Sequence, residues 1–149
     1  VMPLRGPAFT SWLTKWLKPK SLGERGEDAA ARYLKRLGYQ IVGRQVDLHV
    51  GELDIVAVDN SAEGGRTVVF IEVKTRTSDA AGMPTEAIDE LRQQRLTRAA
   101  LAYLKSHGLL EYRARFDVIA ITWPVGAKSP TIEHIRDAFP AAGQGQFFA

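Results

Sequence analysis

Gly51-Glu52-Leu53-Asp54-Ile55-Val56-Ala57-Val58, followed after a glycine-containing loop by Val68-Val69-Phe70-Ile71-Glu72-Val73-Lys74, decides the fold. Both runs are short, rich in β-branched and aromatic residues and separated by Asn60, Gly64 and Gly65, which is the pattern of two strands joined by a turn. Alternation puts Val68, Phe70, Glu72 and Lys74 on one face of their strand, and Asp54, Val56 and Val58 on one face of the other. Three ionisable side chains thus continue faces that are otherwise apolar. In an antiparallel hairpin, pairing Val58 with Val68 also pairs Asp54 with Glu72, because both pairs are symmetric about residue 63 in the loop. Directly opposed residues have Cβ atoms about 4.5–5.5 Å apart, and Lys74 lies about 6–7 Å along the face from Glu72. Two carboxylates so close repel each other, and at least one should have a raised pKa unless a cation intervenes. A structural ion pair at the end of a sheet is the plainer alternative.

Outward from this hairpin, Ser21-x-x-Glu24 forms a capping box and Gly38 a stop, which predicts a helix over 22–37. Its apolar stripe runs through Leu22, Ala30, Tyr33, Leu34 and Leu37, and Glu27 falls on that buried side. Residues 39–50 read as a further strand. Thr85 is the expected cap of a long helix over 86–106 that ends at Gly108. On it, Arg92 and Arg95 fall on the inward face marked by Ile88, Leu91, Ala99 and Tyr103, where they could clamp a phosphate or reach past the rim to water. Phe116 to Trp123 is a β-rich run stopped by Pro124, and Thr131 to Phe139 is ambiguous in pattern, a short strand followed by a turn of helix being one reading. The fold expected is α/β, a central mixed β-sheet flanked by helices. Its core domain spans 21–140, after an N-terminal extension at 1–20 and before a tail at 141–149. The extension holds Trp12 and Trp16 and at most a short amphipathic helix at 9–18.

At 149 residues with 45% hydrophobic and 25% charged residues, the chain fits one domain with a real core. It has no cysteine, so disulfides, zinc–thiolate sites and thiol nucleophiles are excluded. No apolar run approaches the length of a membrane span, and a cytoplasmic protein without a membrane partner is the expectation. The net charge of +3 is unevenly spread. Residues 51–85 carry three Lys/Arg against six Asp/Glu, whereas residues 1–50 carry nine against four and residues 86–115 six against four. An acidic patch between basic flanks suits a cation site beneath a phosphate-binding surface. His49, His107 and His134 lack metal-ligand spacing, and each reads as a surface or packed histidine. Ser21, Ser61 and Thr85 have no triad partners, and Gly64-Gly65 is a turn rather than a phosphate loop.

The sequence from about Ser21 to Phe139 resembles the YraN-like family of small bacterial proteins in the PD-(D/E)xK nuclease superfamily, similar in fold to restriction endonucleases and Holliday-junction resolvases. The likeness rests on Gly23-x-x-Gly26-Glu27, Gly38-Tyr39, Gly51-Glu52-Leu53-Asp54, Ile71-Glu72-Val73-Lys74-x-Arg76, Arg115-Phe116-Asp117-Val118 and Glu133-His134-Ile135. The resemblance implies that Asp54 and Glu72 ligate Mg²⁺ or Mn²⁺ together with the Val73 carbonyl. It makes Lys74 the catalytic lysine and Glu27 an accessory catalytic carboxylate. Arg44 and Arg76, and from their phase on the long helix Arg92 and Arg95, are the residues expected to meet nucleic acid. Two positions depart from the family pattern, in which Asn usually follows Arg44 and a Lys usually stands on the long helix. Here these are Gln45 and Arg92.

The expected function is metal-dependent endonuclease cleavage of nucleic acid, with structured DNA as the substrate. A homodimer would be required to cut a four-way junction symmetrically. The rival expectation is a non-catalytic nucleic-acid-binding module with the same fold, and a third is a protein-interaction subunit docking through Trp12 and Trp16.

Overall fold

The computed structural model describes residues 19–61, 63, 65–78 and 88–142. The helix proposed at 9–18, Trp12, Trp16, the Thr85 cap and the tail from 143 onward lie outside them.

Ser21 caps α1 (Leu22–Arg36), its Oγ accepting from the Glu24 N–H at 3.2 Å. The helix closes in a Schellman motif: the Gly38 N–H donates to the Lys35 carbonyl, and the Tyr39 N–H to that of Leu34, both at 3.0 Å. Gly38 makes this possible with φ 92°, a conformation few side chains tolerate. Leu37 was expected inside, but as the C-cap residue it has left the helical stripe and is 53% exposed. Tyr39 takes its place in the core.

The chain then forms β1 (Gln40–Leu48), β2 (Gly51–Asp59) and β3 (Thr67–Arg76), an antiparallel meander. The β2–β3 register pairs Val58 with Val68, as the symmetry about residue 63 requires, and runs to Ile55 opposite Ile71. Next come α2 (Glu90–Ser106), β4 (Arg113–Thr122), parallel to β3, and β5 (Thr131–Phe139), antiparallel to β4. A parallel pair needs a crossover, and α2 supplies it. The five strands lie in the order β1-β2-β3-β4-β5, a mixed sheet with a helix on each face. This is an α/β fold of restriction-endonuclease-like architecture.

Two apolar layers hold the helices. Ala30 and Leu34 of α1 pack on Ile55, Val69, Ile71 and Ile119, while Leu96, Ala100 and Tyr103 of α2 pack on Val56, Phe70, Phe116 and Val118. Phe70 and Phe116 tilt against each other in this second layer, ring centroids 5.8 Å apart. No helix among the described residues is long and apolar enough to cross a membrane.

Three local expectations need correction. α2 starts at Glu90 with Asp89 as its cap, Oδ1 accepting from the Arg92 N–H at 2.7 Å, several residues after the predicted start. Its buried stripe is Leu96, Ala99, Ala100, Tyr103 and Leu104, which places Leu91 and Arg95 roughly 100° or more away, on the solvent side. Leu91 is 56% exposed. Finally, β5 remains a strand to Phe139 where a turn of helix was expected, and a register shift opposite Phe116–Val118 with a positive φ of 51° at Asp137 accommodates the irregularity within the strand.

Candidate metal and phosphate site

Beyond the Ile55–Ile71 pair, β2 and β3 part. Asp54 stands at the fork, where its Oδ2 accepts from the Val73 N–H at 2.9 Å. The side chain therefore turns into the gap between the strands instead of standing on the face it shares with Val56. Burial, and then the negative charge of Glu72, push Asp54 up to about 6, against the pull of the Val73 N–H and of Arg92. The two carboxylates thus sense each other, although the paired ladder stops one residue short of the direct Asp54–Glu72 opposition expected from the register.

On one side of Asp54 opens a cleft of about 460 Å³ lined by Lys20, Gly23, Glu24, Glu27, Asp28, Arg44, Gln45, Val73 and Thr75. α1 reaches it because Gly26 lies against Thr75, where a Cβ would come within 2.8 Å of Thr75 Cγ2. Glu27, only 7% exposed, is carried in on the next residue. Arg44 Nε donates to Glu27 Oε1 at 3.3 Å, and Gln45 Nε2 donates to Oε2. Gln45 holds a φ of 47°, a left-handed conformation in which Asn is favoured. The Asn expected from the family pattern would thus suit the backbone better, while Gln uses its longer reach to hold Glu27. Arg44 also pairs with Asp28 at 2.7 Å, and Lys20 with the same carboxyl at 2.6 Å. Hydrogen bonds from these two cations hold Asp28 below the usual carboxylate range.

On the other side of the fork is Glu72, 4% exposed, with a fork of donors on it. Arg92 Nη2 lies 3.0 Å from Oε1 and 3.2 Å from Oε2, and Nε lies 3.3 Å from Oε1. Lys74 Nζ is 3.6 Å from Oε1. Arg92 and Lys74 are 36% and 38% exposed, so both approach the buried carboxylate from solvent. Arg76 is half-buried at the exit of β3, where its carbonyl accepts from the Trp123 N–H at 2.8 Å. Arg95 is exposed one turn along α2 and is not drawn into the cluster.

Among the described residues, no group of three His, Asp or Glu side chains is placed to hold a metal ion. Asp54 and Glu72 alone would be the carboxylate ligands, which fits Mg²⁺, an ion that commonly keeps several waters and takes one or two carboxylates. A cation here would offset both the burial and the repulsion by Glu72 that raise Asp54. Glu27, engaged by Arg44 and Gln45, stands outside this pair.

Sequence reasoning missed a second set of buried charges, which runs from Asp59 at the Thr67 end of the sheet to Asp117 opposite Ile71. Asp117, wholly buried in β4, accepts from Arg115 Nε at 3.0 Å, His134 Nε2 at 2.8 Å and the Asp137 N–H at 2.9 Å. Asp59, 2% exposed, accepts from Ser61 Oγ at 2.6 Å, Arg115 Nη1 at 3.0 Å and Arg136 Nη2 at 2.9 Å. Burial would raise both carboxyls, yet these donors outweigh it, lowering Asp117 and holding Asp59 at about 2. His134 is packed, 5% exposed, with its ring edge-on to Tyr33. An Asp inside the apolar run Phe116–Thr122 was the available signal.

The profile of a family described as "Uncharacterised protein family UPF0102" matches residues 26–121, which include Glu27, Asp54, Glu72, Lys74 and Arg92. A UPF0102 protein of Geobacter sulfurreducens is 49% identical over 123 residues, 83% of this chain and 91% of that protein. One of Rhodopirellula baltica is 42% identical over 128 residues, covering 85% and 75%. Another, of Geotalea uraniireducens, is 46% identical over 123 residues, covering 83% and 92%.

Proposed function

Because this chain belongs to the UPF0102 family, the YraN-like group, we propose that it is a metal-dependent endonuclease acting on structured DNA. One observation carries the reading: Asp54 is raised to about 6 by burial and by Glu72, at a fork beside a cleft, with Lys74 and Arg92 alongside. Raised carboxylates grouped with cations in a cleft are a signature of sites that do chemistry. Asp54 and Glu72 hold Mg²⁺ or Mn²⁺, which when bound supplies charge for the phosphoryl oxygen and lowers the pKa of a water. Lys74 presents a compact ammonium to the charge that develops on phosphate. Glu27, fixed by Arg44 and Gln45, orients water in the cleft. Lys20 and Arg44, at its rim, face the nucleic-acid backbone.

Asp54→Ala and Lys74→Ala proteins should fold as the parent does and lose at least about 100-fold of Mg²⁺-dependent cutting of branched or nicked DNA. Variants that fold and cut as well as the parent would sink the proposal. A second reading, a nucleic-acid-binding module without turnover, is favoured by Arg92 and Lys74, which already neutralise Glu72. It predicts salt-sensitive DNA binding that is indifferent to metal, and no cutting under any of these conditions.

A further inference from the structure

We propose that Arg92 is the resident cation of Glu72 and competes with the divalent ion for it. In this scheme the displaced guanidinium moves to a backbone phosphate, so that metal and nucleic acid bind cooperatively. The inference rests on the metal site of the proposed function.

Arg92 takes both oxygens of Glu72 with two of its nitrogens, at 3.0 to 3.3 Å. An ion bound to Glu72 must therefore share or replace those bonds. Lys74 cannot stand in fully, since its single contact is longer, 3.6 Å. A carboxylate only 4% exposed is strongly penalised when left without a cation, so one guest leaves as the other arrives. The backbone of Arg92 is held in the first turn of α2, where its N–H bonds to the Asp89 cap. Only the long side chain moves. Stripped from Glu72, its planar fork needs another anion, and phosphate oxygens match its geometry bidentately. Metal arrival thus frees the group that binds DNA, and DNA draws away the group that blocks metal. Linkage makes the two effects equal. A Lys at this position would hold Glu72 by a single ammonium and be the weaker competitor.

Calorimetric titration of the full chain with Ca²⁺, with and without a four-way DNA junction, tests this. The parent should bind Ca²⁺ about tenfold more tightly with DNA present. In Arg92→Gln, Ca²⁺ alone should bind about tenfold more tightly than to the parent, and DNA should add nothing further. Arg92→Lys should fall between them. Thermal unfolding gives an independent readout, since Ca²⁺ should raise the Tm of Arg92→Gln more than that of the parent. Unchanged or weaker Ca²⁺ binding by folded Arg92→Gln overturns the competition and leaves the metal site standing. Ca²⁺ binding that survives Glu72→Gln undiminished overturns the metal site itself, and the competition with it.

Discussion

A carboxyl raised to about 6 is a standing cost to the folded state, and Asp54 is such a group. Its ordinary value is 3.8, so the folded protein holds the proton more tightly than the unfolded chain does. Stability at this residue is therefore fully present below pH 4, falls as pH rises toward 6, and stays reduced above it. Asp54→Asn keeps an oxygen for the Val73 N–H and removes the charge. The variant should be more stable than the parent at pH 8 by on the order of 1–3 kcal/mol, with the gain vanishing near pH 4, in urea melts at the two pH values. No gain at pH 8 would mean that burial and Glu72 together do not strain the Asp54 carboxylate. Asp117 supplies the contrast, since it is more deeply buried yet lowered. In sequence the two look alike, each an Asp in an apolar strand. What separates them is saturation by donors, which no spacing rule reports: Asp117 has Arg115, His134 and a backbone N–H, whereas Asp54 has one N–H and a like-charged neighbour.

At the scale of elements, the hairpin register was legible because two alternating strands about a short loop leave few ways to bury both apolar faces. Glu27 on the inner side of α1 was legible for the same reason, a capped helix with a clear phase. The parting of β2 and β3 was not, since it follows from how the sheet ends and not from either strand alone. Nor was the Arg92–Glu72 pair. It depends on the phase and start of α2, and reading Leu91 as inward turned Arg95 in as well. The meeting of α1 and β3 depends on Gly26, whose missing side chain lets Thr75 come close. Gly26→Ala gains helix propensity of about 1 kcal/mol but must push Thr75 aside, and overpacking of this kind costs about 1–3 kcal/mol. The variant should lose stability on balance, with Glu27 drawn away from Arg44 and Gln45. Adding Thr75→Ala should recover part of the loss, a coupling that a double-mutant cycle of urea melts would register. Simple additivity would show that the contact does not set the position of α1.

Across the whole molecule, two sets of buried charges do two kinds of work. From the end where Asp59 pairs with Thr67, Arg115 reaches along the sheet to join Asp59 of β2 to Asp117 of β4, opposite Ile71, and donates to the Tyr39 hydroxyl at 2.7 Å. His134 and Arg136 bring in β5. Where the β2–β3 ladder opens, Asp54 is left with one N–H against burial and the charge of Glu72. The paired set should announce itself in acid. Asp59 sits at about 2 when folded against 3.8 in the unfolded chain, so its contribution is fully present above pH 4 and is lost as pH falls toward 2. That is about 2 kcal/mol, to which the lowered Asp117 adds in the same direction. Stability should therefore fall steeply between pH 4 and 2. Arg115→Met leaves two buried carboxylates short of a cation and should cost about 3–5 kcal/mol at pH 7. Because Arg115 and Asp54 share no partner, the variant should leave the Asp54 titration near 6 by NMR, provided it still folds. A shift of that titration by a full unit would show that the paired set and the site are coupled through the sheet.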